Sequence, residues 1–286
     1  MISFSLRNLK LFFKDRAAVF FSLLAVFILI GLYALFLGDV WTDSFPDVPN
    51  VRGLMDTWMV AGLLAVTSVT TTMGAYGIMV DDKSKKIERD FIASPVKRSS
   101  LLGGYMINAV VVGILMSLVT LLLAEIYLLA GGASLPSPAV LFKTLGLILL
   151  SVIANSAMVL FLVSFFQSAN AFATASTIIG TLIGFLTGIY LPVGALPEAV
   201  QLIIKCFPVS HAAVLLRQVL MEQPMEAAFS GAPAETKAAF EEFLGVTYRF
   251  GGTTLSSLAS MAILLGTAVL FYALSLLVLS RRKIKT

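Results

Sequence analysis

Residues 81–105, DDKSKKIERDFIASPVKRSSLLGGY, form the one dense block of charge between two long apolar runs. At helical spacing, Ile87, Phe91 and Ile92 share one side of a short helix, with Glu88, Arg89 and Asp90 around the rest. Pro95 ends that helix, because the residue before a proline avoids the helical region. The residues alone leave two readings open. One is a solvated loop whose positive charge fixes membrane topology. The other is a short amphipathic helix, held at a membrane surface, that docks into another protein.

The apolar runs on either side set the class. Of the 286 residues, 58% are hydrophobic and 13% charged, and the mean hydropathy is +0.96. Soluble domains run at about 45–50% apolar and about 25% charged. The chain therefore reads as an all-α integral membrane protein. Its one cysteine, Cys206, excludes an internal disulfide framework and is expected to be a buried or quiet thiol. Its one histidine, His211, cannot build a metal cluster, and no Cys/His/Asp/Glu set has ligand spacing. No Gly-x-x-x-x-Gly-Lys-Ser/Thr phosphate loop occurs. No catalytic residue, cofactor or nucleic-acid partner is expected for this chain. Any ATP and Mg that drive it are expected on another polypeptide.

Upstream of the block, residues 1–16 read as an interfacial helix. Ile2, Leu6, Leu9 and Phe13 make an apolar stripe beside Ser3, Arg7, Lys10 and Lys14. The run after it, 17–37, is long enough to span, since about 20 apolar residues cross the hydrocarbon core. A polar loop is expected over 38–57, and a second span over 58–80. That span carries Thr67, Ser68, Thr70, Thr71 and Thr72, whose hydroxyls can bond back to helix carbonyls or line a path. Downstream, spans are expected at 101–130, 140–166, 170–191 and 255–280. Glu125 is the acid that falls inside a span, about 7 Å from its end at 1.5 Å per residue, and reads as reaching the interface. Gly180, Gly184 and Gly188 recur every four residues, a spacing that lets helix backbones touch.

Residues 192–252 contain two apolar helical pieces, about 197–206 and 209–223, broken at Pro208. Charge decides whether they cross. The N-terminal arm, the 81–105 block and the tail from Arg281 hold 14 of the 20 basic residues. Six spans put all three on the cytoplasmic side, as the positive-inside rule requires. A seventh would expel the tail. The two pieces are therefore expected to dip into the outer leaflet and return, as re-entrant helices between spans five and six.

DFIASPVKRS followed by LLGGY resembles the loop between the second and third spans of ABC transporter permeases of the type-2 exporter family. LPVGALP, then FPVSHAAVLLR ending at Arg217, resembles that family's stretch between spans five and six. The order of these motifs, with the N-terminal helix, covers most of the chain. Many relatives carry Gly-Thr-Leu-Glu where this chain has KIERDF. The resemblance implies a coupling helix at Ile87–Ile92 (Ile87, Glu88, Arg89, Asp90, Phe91 and Ile92) that contacts a cytosolic ABC ATPase subunit. It implies a second permease copy or close relative, with the glycine face near that interface. It also implies a bacterial cell membrane, with both termini cytoplasmic, and export by alternating access. A path between spans two and five is then expected to involve Thr67, Thr71, Met73, Asn155, Thr177 and Thr181 and to suit an apolar or amphipathic cargo, such as a drug, peptide or lipid-linked molecule. Arg217 is expected to anchor at the outer interface. The rival classes are an ion-coupled secondary transporter, for which no midplane charge or inverted repeat is evident, and a non-transporting membrane anchor or sensor.

Overall fold

The computed structural model of the chain describes residues 2–87, 91 and 98–281. Glu88, Arg89, Asp90 and Ile92 of the expected coupling helix lie outside the described residues, as does the tail from Arg282.

The chain starts with α1, Ile2–Lys14. Asp15 breaks it from α2, Arg16–Leu32, by accepting a hydrogen bond from the Ala18 N–H at 3.0 Å. The first long helix does not stop near Leu37. A π-helical turn at Tyr33–Leu37 carries it into α3, Gly38–Ser44, giving 29 continuous helical residues. The expected polar loop over 38–57 is thus wrong at both ends. Arg52 explains its first half: Nη2 donates to the Tyr33 carbonyl at 3.3 Å and Nη1 to Asp39 at 2.6 Å. One guanidinium so satisfies a carbonyl of the π turn and a carboxylate of the polar helix that follows.

Most of the second half belongs to α4, Val51–Ser84, which begins seven residues before the expected Trp58. Its 34 residues extend about 51 Å at 1.5 Å per residue, well beyond the roughly 30 Å hydrocarbon core. It is the central helix, with most of its side chains buried. Around it pack α2, α5 (Arg98–Ala130), α6 (Pro138–Val163), α7 (Ala169–Leu186) and α9 (Pro208–Leu220). Ser137 caps α6, accepting from the Val140 N–H, and Pro138 fills its first position, where no amide is needed.

α7 ends five residues before the expected Leu191. Gly188 follows the last turn at φ +65°, and the Ile189 N–H reaches back to the Gly184 carbonyl at 3.1 Å. This is a Schellman ending, which requires a left-handed residue and so favours glycine. Pro192 lies just beyond it. α8, Glu198–Cys206, then meets α9 at a bend of 87°. α9 is driven into the bundle against α4, α6 and α12 (Ser257–Arg281). Between α9 and α12 come α10 (Glu222–Ala228), α11 (Ala234–Leu244) and a hairpin of β1 (Arg249–Phe250) and β2 (Thr253–Thr254). Gly251 and Gly252, both at positive φ, turn that hairpin. It is the one small departure from all-α architecture among the described residues.

Six helices are long and apolar enough to cross a membrane. α2, α7 and α12 carry their apolar side chains outward, among them Phe20, Phe21, Ile178, Leu182, Leu258 and Val269. A surface of that kind suits lipid, not water.

Candidate functional site

A connected polar cluster lies where α1 crosses the Ser84 end of α4. Asp82 is buried there and receives three donors. Arg7 grips both its oxygens, Nη1 to Oδ2 at 2.8 Å and Nη2 to Oδ1 at 2.9 Å, and the Tyr105 hydroxyl donates to Oδ2 at 2.8 Å. A planar guanidinium can hold a carboxylate with two parallel bonds. The hydrogen bond to Asp82 holds the Arg7 pKa above its ordinary value. Arg7 Nη1 also donates to Asn8 Oδ1 at 2.8 Å, and Ser5 Oγ donates to the Gly104 carbonyl at 3.0 Å.

Aromatic rings close the cluster. Phe4 meets Phe91 edge-on at 5.0 Å and Tyr105 at 4.9 Å. The Arg7 guanidinium lies 5.3 Å from the Phe91 ring centre and 5.9 Å from that of Phe4. Gly104 makes room: a β-carbon there would sit 2.6 Å from the Phe4 ring. α1, α4, the start of α5 and Phe91 of the charged loop are therefore joined through six or seven side chains. Phe91 is half-buried and faces inward onto α1, so it fastens the loop to the bundle. The sequence pairs Phe91 with Ile87 and Ile92 instead. Ile87 lies in a half-buried turn.

α1 turns Ser5, Asn8 and Phe12 to the bundle and leaves Ile2 (74% exposed), Leu6 (50%) and Phe13 uncovered. Three residues of the apolar stripe read from the sequence lie on that outward side, whereas the fourth, Leu9, packs partly against the core.

The expected path residues fall into two groups that do not meet. Thr67, Thr71, Met73 and Asn155 are buried inside the bundle. Thr67 and Thr71 donate to the Leu63 and Thr67 carbonyls at 2.8 and 2.7 Å. Asn155 Nδ2 donates to Ser68 Oγ at 2.7 Å. The Asn155 bond ties α4 to α6, whereas the Thr67 and Thr71 bonds stay within α4. Thr177 and Thr181 lie on the exposed side of α7, bonding the Ala173 and Thr177 carbonyls. The glycine series is also corrected. Gly188 is beyond the helix, Gly184 is covered by the Tyr190 ring of the same chain, and only Gly180 has open space.

At the far end of α4, Arg217 is fully buried. It is not an interfacial anchor. Its guanidinium carbon lies 4.6 Å over the Trp58 ring, Nη2 donates to the Gly188 carbonyl at 3.2 Å and Nη1 to the Gly245 carbonyl at 3.4 Å. Both glycines have positive φ and end helices, α7 and α11. A cation at two helix C-termini is favourably placed. Trp58 Nε1 donates to the Leu244 carbonyl at 2.7 Å, completing the tie. His211 joins α9 to α12, Nδ1 lying 3.2 Å from Ser260 Oγ and Nε2 3.0 Å from the Lys205 carbonyl. Cys206, expected to be a buried or quiet thiol, is exposed at the end of α8 and so is not buried. Among the described residues no group of three or more His, Cys, Asp or Glu side chains is placed to hold a metal.

Sequence reasoning missed Phe4, Asp82 and Tyr105. Asp82 leaves one trace: an acid at the head of a basic block, two residues past the last apolar residue, Val80.

Residues 42–277 match the family described as ABC-2 family transporter protein. No curated protein matches the chain.

Proposed function

Because the chain belongs to the ABC-2 family of transporter proteins, we propose that this membrane permease is driven by ATP hydrolysis on a separate cytosolic ATPase subunit. In this proposal the charged loop and both termini face the cytoplasm of a bacterial cell. The loop of residues 85–97 receives the ATPase and α1 lies along the inner membrane surface. The single observation that carries the proposal is the Arg7–Asp82–Tyr105 cluster with Phe4 and Phe91. It fastens the loop to the end of α4, so a push on the loop becomes a push on the central helix.

α4 can transmit that push. It runs unbroken from Asp82 to Trp58, about 36 Å at 1.5 Å per residue, and ends in the Arg217 tie to α7 and α11. Movement of α4 as a rigid rod would shift α7 and the bent α8–α9 pair together, a rigid-body exchange between two packed states. In this proposal α8 and α9, bent by 87°, are a re-entrant pair and not one broken span. The path opens between two copies, along the uncovered side of α7 with Thr177, Ile178, Thr181 and Leu182. A lining of aliphatic side chains with hydroxyls suits an apolar or amphipathic cargo, moved outward.

The test is reconstitution of the chain in liposomes with an ABC ATPase subunit from the same organism. An apolar fluorescent cargo is expected to move only with ATP. Movement driven by an ion gradient with no ATPase present would overturn the proposal in favour of a secondary transporter. ATPase binding without movement of any cargo would favour a membrane anchor.

A further inference from the structure

At the end of the bundle that carries Asn50, a cavity of about 400 Å³ opens between α4, α5, α9 and α10. Glu125 of α5 faces into it and is the one charged residue among those that line it. Asn50, Thr57 and Gln223 supply amide and hydroxyl groups, and Leu128 and Leu220 supply apolar wall. Thr57 already donates its proton to the Gly53 carbonyl at 2.8 Å, so its oxygen presents lone pairs to the cavity.

Glu125 differs from Asp56 of α4. Asp56 is held by Arg52 at 3.3 Å and by the Tyr127 hydroxyl at 2.8 Å. The neighbouring cavity, about 610 Å³, contains both signs, and four of its charged residues pair: Lys143 with Glu222 at 3.8 Å and Lys237 with Glu241 at 3.9 Å. Among the described residues Glu125 has no hydrogen-bond or ion-pair partner. An acid within a membrane-spanning helix is costly unless something pairs it. Here the chain supplies a half-buried carboxylate, acceptors around it and an apolar wall, and no cation of its own.

We propose that this cavity binds the ammonium group of an amphipathic amine, with Glu125 as its counter-ion and the alkyl part against Leu128 and Leu220. A lipid headgroup and a soluble amphiphile share this chemistry. The site requires neither the ATPase nor a second copy, so it stands or falls separately from the transport reading.

The experiment is calorimetric titration of the purified full-length chain, in a maltoside detergent without nucleotide, with hexylammonium chloride. Saturable binding is expected. Glu125→Gln, which keeps the shape, should weaken it at least tenfold, and Glu125→Asp should retain most of it. The uncharged isostere of the same ligand should bind at least tenfold more weakly than the ammonium. Competition by nanodiscs containing phosphatidylethanolamine, but not by those of phosphatidylglycerol alone, would identify a lipid headgroup as the occupant. No competition by either would identify a soluble amphiphile. No binding to the wild type, equal binding to Glu125→Gln, or equal binding of the uncharged isostere would overturn the proposal.

Discussion

Arg7 and Asp82, seventy-five residues apart in sequence, share a two-pronged ion pair at 2.8 and 2.9 Å. One residue lies on a helix beside the membrane-crossing bundle and the other on its central helix. The pair is unevenly covered: the Asp82 side chain is 4% exposed and that of Arg7 33%. Its strength therefore comes chiefly from what Asp82 would lose if left alone.

Arg7→Ala leaves a buried carboxylate with only the Tyr105 hydroxyl. A charged group stripped of its partner in such a place costs about 2–3 kcal/mol. Thermal unfolding in detergent is expected to show the loss. The double variant Arg7→Ala/Asp82→Asn should recover part of it, because the uncompensated charge is gone. Additive losses in the two single variants would contradict a direct pairing.

Phe91→Ala removes the ring that sits between Phe4 and Arg7. Overall stability should fall by only about 1 kcal/mol, since the ring is half-buried and edge-on pairs contribute about 0.5–1.5 kcal/mol. Amide exchange across residues 85–97 should speed up much more than exchange in α4. Gly104→Val should reproduce the effect from the other side, by displacing Phe4.

Arg217→Ala takes away the Trp58 stack and both carbonyl bonds at once. The expected loss is about 3–5 kcal/mol. Arg217→Lys should recover little of it, since an ammonium cannot stack flat on an indole while reaching two carbonyls. Full stability of the lysine variant in thermal unfolding would show that the charge alone matters.

Gly188→Ala and Gly180→Ala should differ in sign. At Gly188 a side chain must adopt φ +65° and would meet Val193 at 2.9 Å, costing about 1–2 kcal/mol. At Gly180 the helix is regular and the space open, so alanine should stabilise by about 0.5–1 kcal/mol. If Gly180→Ala instead lowers the mass of the detergent-solubilised assembly, a second copy packs there.

Much of this fold can be read from hydropathy, because a bilayer forces long apolar helices on the chain. The six helices long and apolar enough to cross, the break at Pro208 and three of the four residues of the α1 stripe, Ile2, Leu6 and Phe13, all follow from spacing. The extension of the first long helix through Gly38–Ser44 does not. It depends on Arg52, a residue distant in sequence, satisfying the Tyr33 carbonyl and Asp39. The glycine series misled because spacing ignores helix ends: Gly188 ends the helix it was counted in. The hydroxyls of Thr67 and Thr71 were equally ambiguous, since the same groups can face a path or a neighbouring helix. The Arg7–Asp82 contact had no sequence signal of its own. Both residues sit among like and unlike charges that a solvated segment would show as well.

In the proposed function, Arg7 and Asp82 fix the loop that an ABC ATPase subunit would grip. The most direct measurement is co-purification of a co-expressed ABC ATPase subunit from the same organism with the wild type and with Arg7→Ala, below the unfolding temperature of both. The account predicts stoichiometric retention by the wild type and at least tenfold weaker retention by the folded variant. Equal retention by the two, or none by the wild type, would contradict it.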